Sequence, residues 1–162
     1  MKLEIDVSGG DLLSKNYVIC VASDNGIVRG FKFGNKLVKD LCSRYGQGIY
    51  RYKKSKKGKS TFKLRLYSVV IYYFFKSIEV KSNISLNICR DFQGRENDIK
   101  ENLNFFLNKK LRLKVSDRIY FTKLPNNSLA HKYAFLMRHD NKNKLDTYIE
   151  IPLKNFEKWL KK

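Results

Sequence analysis

Acidic residues are scarce in this chain of 162 residues: 15 Asp and Glu stand against 34 Lys and Arg, a formal net charge of +19. Only six are glutamates. That shortage excludes the ion-pair networks of charge-rich thermophilic proteins, which need both signs. Long apolar runs are missing too. The longest, Val69 to Phe75, has seven residues, far short of the ~18 of a membrane span. The opening Met1 to Asp6 lacks a signal-peptide pattern, so an intracellular, cytoplasmic protein is expected. The three cysteines, Cys20, Cys42 and Cys89, lie far apart with no CxxC pairing, and His131 and His139 make no zinc spacing. A disulfide scaffold and a structural zinc site are excluded, leaving reduced thiols in or near a core.

What is abundant is positive charge, and it is unevenly placed. From Leu41 to Ile78 there are ten basic residues and no acid. Codon bias raises the lysine count without arranging it, whereas a one-signed segment is an electrostatic footprint for a polyanion. Nucleic acid, DNA or RNA, is the partner expected. A membrane surface ranks below it, because the basic segment lacks the Trp/Phe/Leu face of an interfacial helix. Lys53, Lys54, Lys56, Lys57 and Lys59 in YRYKKSKKGKS form the candidate phosphate-binding cluster, read as a mobile loop or hairpin tip at about 50–60. Tyr50 and Tyr52 beside it either stack on bases or pack against the protein.

The length and the 43% hydrophobic content suit one domain, 1–162. Lys2 to Ser8 alternates as a strand, and Tyr17 to Ser23 is a nearly continuous apolar run, as in a strand covered on both faces. Asn25-Gly26 marks a tight turn into a third strand, Ile27 to Phe33. Asn35 to Tyr45 reads as a short helix. Phe62 to Ile78 is apolar nearly all round, and its 17 residues without a turn favour a buried helix. Ile84 to Arg90 is a strand. Asp98 and Glu101 resemble a capping box, opening a helix with Ile99, Leu103, Phe106, Leu107 and Leu111 at helical spacing. Arg118 to Lys123 is a further strand, Ser128 an N-cap for Leu129 to Arg138, and Thr147 to Ile151 a last strand before a helix that starts at Pro152.

Three strands in a meander followed by helix, strand, helix, strand, helix is an order that resembles the ribonuclease H superfamily. Asp6 in LEIDVSGG is similar to the aspartate-then-glycine opening of type 2 ribonucleases H, and Asp91 follows the fourth strand in ISLNICRDF. The resemblance implies an α/β fold, a mixed sheet of about five strands flanked by helices. It implies that the first and fourth strands are parallel neighbours, so that Asp6 and Asp91 share one Mg²⁺ or Mn²⁺ and hydrolyse phosphodiester bonds. Adjacent strands ~4.8 Å apart allow such sharing. The family's other two acidic positions are not matched: the long helix offers Arg65, with Asp40 the nearest substitute, and the helix after the fifth strand offers His131.

Two readings follow, with a third behind them. One is a metal-dependent nuclease using Asp6 and Asp91. Another is a non-catalytic nucleic-acid-binding module that has lost part of its acidic site, with Arg65 holding a phosphate where a cation would repel Mg²⁺. A ribonucleoprotein scaffold would share the charge and lack the metal. Asp6 and Asp91 also suit plain turn or loop roles.

Overall fold

The computed structural model describes residues 1–80, 83–115 and 117–161. Strands β1 (Lys2–Ser8), β2 (Val18–Ser23) and β3 (Val28–Lys32) form the expected antiparallel meander. Helices α1 (Asn35–Gly46) and α2 (Lys56–Ser77) make the crossover to β4 (Ser85–Cys89), which lies parallel to β1 with Ile5 opposite Ile88. Helix α3 (Glu96–Leu103) leads to β5 (Ile119–Thr122), parallel to β4. Helices α4 (Leu129–Arg138) and α5 (Leu153–Glu157) complete the chain. The sheet order β3-β2-β1-β4-β5 makes this a mixed, open α/β sheet of five strands.

Alternation along β1 divides the molecule. Leu3 and Ile5 point into the larger core, with Phe62, Leu66 and Ile71 of α2, Ile99 and Leu103 of α3, and Phe156 of α5. The opposite face meets α4: Val18, Cys20 and Val28 pack on Ala130, Ala134 and Met137. All six residues of β2 are buried, because this strand is covered on both sides. Gly30 lets α4 come close. A Cβ there would lie 2.5 Å from the Met137 sulfur.

Four local expectations are corrected. The basic segment is not a loop throughout, because α2 already begins at Lys56. Ser55 caps it, its Oγ accepting from the Gly58 N–H at 3.0 Å, and lysine is a good helix former. The preceding turn folds back so closely that a Cβ on residue 58 would lie 2.0 Å from the Lys53 carbonyl oxygen. The Asp98–Glu101 capping box does not form. Arg95 is the N-cap and draws the Asp98 carboxylate to its Nε at 2.6 Å. After Leu103 the helix widens into a π-helical segment, Asn104–Lys110. Finally, Thr147 to Ile151 is no strand. Among the described residues its one ladder contact is a bridge between Gly30 and Tyr148.

Candidate metal and phosphate site

Parallel pairing brings the carboxyl ends of β1 and β4 side by side. Asp6 points to the α4 face, opposite Cys20 of β2, and is only 4% exposed. Cys89 ends β4 and Asp91 follows two residues later. Ligand atoms of Asp6, Cys89 and Asp91 all lie within 4.8 Å of one another, with Asp6 buried, Cys89 half-buried and Asp91 exposed. The capped first turn of α4 adds His131: Ser128 Oγ accepts from the His131 N–H at 3.0 Å. The imidazole Nδ1 then lies 2.8 Å from Asp6 Oδ2. Asp6 Oδ1 accepts from the Val7 N–H at 2.8 Å.

Crowding sets the electrostatics. The Asp91 carboxyl is pushed up to about 6, first by the protein displacing its hydration and then by the negative charge of Asp6. Burial likewise raises the Cys89 thiol, and both aspartates add to the effect. Burial beside Asp6 pushes Cys20 up to about 12. At neutral pH these thiols are protonated and inert, and Cys89 becomes a ligand only if a metal displaces its proton.

Asp91 also lines a cleft of about 390 Å³ whose far wall is the N-terminal part of α2. Lys56, Lys59, Ser60 and Lys63 face it from the helix, and Gly9 and Gly10 close it from the end of β1. Lys56, Lys59 and Lys63 share that side because they are spaced i, i+3 and i+7. Lys63 forms an ion pair with Asp11 at 3.0 Å. Lys53 and Lys57 line a separate groove on the other flank of α2 with Arg51 and Tyr52, while Lys54 is exposed and lines neither.

Asp6, Asp91 and His131 are therefore brought together, and two other candidates are not. Asp40 lies on α1 and pairs with Lys36 one turn away at 3.3 Å, outside the group. Arg65 faces away from the cleft. Its guanidinium stacks 4.6 Å from the Phe106 ring centre and donates to Asn102 Oδ1 at 2.8 Å and the Trp159 carbonyl at 3.2 Å. Apolar and aromatic neighbours claim its long side chain. The sequence reading missed Cys89 and Lys63. Strand alternation already puts Cys89 on the same face of the sheet as Asp6, and helical spacing from Lys56 and Lys59 points to Lys63. Starting α2 at Phe62 hid the second signal.

Comparison with family models, with curated proteins and with solved structures gives no match for this chain.

Proposed function

We propose that the protein binds nucleic acid through its phosphates in the cleft between β1, β4 and α2, and that it is a ribonuclease H-like, metal-dependent nuclease. The observation that carries this reading is the convergence of Asp6 and Asp91 at the ends of two parallel strands, with Asp91 at the rim of a cleft whose far wall carries lysines. Two carboxylates are hard donors suited to Mg²⁺ or Mn²⁺, whereas recruiting the Cys89 sulfur would favour a softer ion. A divalent cation bound there would supply Lewis acidity and an activated water for phosphodiester hydrolysis. The chain's own residues do the rest. Lys56 and Lys59 neutralise the incoming phosphate, and the positive end of the 22-residue α2 adds to their field. His131 fixes the orientation of the Asp6 carboxylate.

A second reading, a non-catalytic binding module, is favoured by a specific feature. Among the described residues no further carboxylate joins Asp6 and Asp91, and the helix across the cleft from Asp91 presents Lys63 instead. Cleavage assays on single-stranded, duplex and RNA–DNA hybrid substrates, with Mg²⁺ and with Mn²⁺, separate the two. Under the nuclease reading Asp6→Asn and Asp91→Asn each lower the rate by orders of magnitude while binding survives, because Asn keeps the shape and loses the charge that holds the metal. Activity that survives either substitution removes the metal site, and binding without any cleavage leaves the module.

The lysine wall has its own readout. Replacing Lys56, Lys59 and Lys63 by Gln is expected to reduce the slope of log affinity against log salt on duplex DNA by about 2, since each phosphate contact contributes ~0.9 and Lys63 is already shared with Asp11. The same change at Lys53, Lys54 and Lys57 should cost less. Equal slopes in the wild type and the first variant would remove the cleft from the binding surface.

A further inference from the structure

Helix α4 packs on β1, β2 and β3, and among the described residues the same face of β4 and β5 keeps Tyr120 and Thr122 exposed and Asn87 half-buried. On these two strands Leu86, Ile88 and Ile119 point into the core. Asn87, Tyr120 and Thr122 point the other way, with Thr122 Oγ1 donating to Asn87 Oδ1 at 2.5 Å. Tyr120 is 53% exposed, with Asn87 opposite it on β4. Neither strand carries a carboxylate. Cations stand at both ends of this strip. At the amino end Arg112, Lys114 and Arg118, against one acid, Asp117, line a hollow of about 530 Å³. Beyond the carboxyl end of the strands Arg90 and Lys123 are exposed, following the rows of Ile88 and Phe121, and Arg90 Nε donates to the Phe121 carbonyl at 3.0 Å. One residue beyond Arg90 lies Asp91.

We propose that the open face of β4 and β5 is a track for single-stranded nucleic acid, with an unpaired base stacked on Tyr120 and the backbone held by Arg118 and Lys123, leading to Asp91. This inference rests on the nucleic-acid reading above and adds the strandedness of the ligand. Charge complementarity favours a polyanion, since neither strand carries an acid and cations outnumber acids at the amino end, with Glu4 of β1 beside Asn87 and Asp91 as the acids at the margin. The exposed ring selects unpaired bases. Stacking on a side chain needs a free π-face, which the bases of a duplex already spend on one another, and a polar sheet face around the ring gives an apolar protein partner little to bury.

The test uses the full chain in EDTA, so that binding is read without cleavage. Fluorescence anisotropy would follow labelled oligo-dT and oligo-U of twelve residues and a blunt duplex of the same length. Tyr120→Ala is expected to weaken single-strand binding about tenfold, the usual cost of removing one stacked base. Tyr120→Phe keeps the ring and should bind as the wild type, Arg118→Gln should lose a fewfold, and duplex binding should change in none of them. Because Tyr120 is at the surface, all three variants are expected to keep the wild-type circular dichroism spectrum. Single-strand affinity unchanged by Tyr120→Ala, or lost equally in Tyr120→Phe, overturns the track and leaves the lysine cleft standing. Absence of binding to every nucleic acid by the wild type overturns the underlying reading instead.

Discussion

Among the described residues two carboxylates are nearly inaccessible, Asp6 at 4% and Glu157 at 7% exposure, and their surroundings are opposite. Glu157, at the end of α5, is surrounded by donors. Arg44 of α1 donates to both of its oxygens at 3.1 and 3.2 Å, the Tyr50 hydroxyl donates at 2.9 Å, and Lys161 lies 3.8 Å away. The cluster ties α1, the turn before α2 and the C-terminal segment together. Asp6 has its own next N–H, an exposed histidine, a thiol and a second aspartate. A buried carboxylate with cations and a hydroxyl around it is a clasp, because both oxygens accept hydrogen bonds and the charge is balanced. One that faces another carboxylate is left with unspent negative field, which is what a site for a cation needs.

Charge removal should separate the two most sharply. Glu157→Gln leaves the Arg44 guanidinium without its anion and weakens the Tyr50 hydrogen bond. Because Arg44 is partly open to water, the expected loss is about 2–3 kcal/mol rather than the larger cost of a fully dry pair. Asp6→Asn should change stability by less than about 1 kcal/mol. Its carbonyl can still accept from Val7, its amide can donate to His131 Nδ1 in the ring tautomer that carries its proton on Nε2, and repulsion with Asp91 disappears. Urea unfolding midpoints at pH 7 check both. Equal destabilisation by the two variants would mean that Asp6 is a structural clasp as well.

The fold was legible where one physical signal acted alone. Alternation identified β1, continuous burial identified β2, and the unbroken length of the apolar run from Phe62 identified the buried part of α2. The parallel placement of β1 beside β4, and with it the meeting of Asp6 and Asp91, was implied by the resemblance that the order of the elements carries. What was not legible depended on distant partners. Lysines with no apolar period conceal a helix start, because Ser55 and the good helix propensity of lysine decide it rather than burial. Arg65 was read as a site residue because nothing in its neighbourhood in sequence announces Phe106, Asn102 and Trp159, which hold it elsewhere. The carboxylates near Arg95 and Lys36 were drawn away by ion pairs that compete with capping and with metal binding. His131 was read only as the titratable residue available after the fifth strand, and its bond to Asp6 depends on how α4 crosses β1.

The smallest effect expected is also the most direct reading of the uncompensated end. The Asp91 carboxyl is raised from 3.8 to about 6, by loss of hydration first and by Asp6 second. The folded state therefore binds more protons than the unfolded chain between about pH 4 and 6, so this group favours folding at low pH and its contribution is lost as pH rises through about 6. That sign is opposite to acid denaturation driven by paired carboxylates. Asp91 is exposed, so water screens the effect, and the difference in Tm between pH 4.5 and 6.5 attributable to it should be about 1–2 °C. Subtracting the same pair of measurements on Asp91→Asn isolates it from the other titrating groups. In Asp6→Asn, an NMR titration of the Asp91 carboxyl should give a midpoint below 6 and still above 3.8, because the charge is gone and the crowding remains. A midpoint unchanged by Asp6→Asn would show that the two carboxylates do not sense each other, and the contrast with Glu157 would then rest on burial alone.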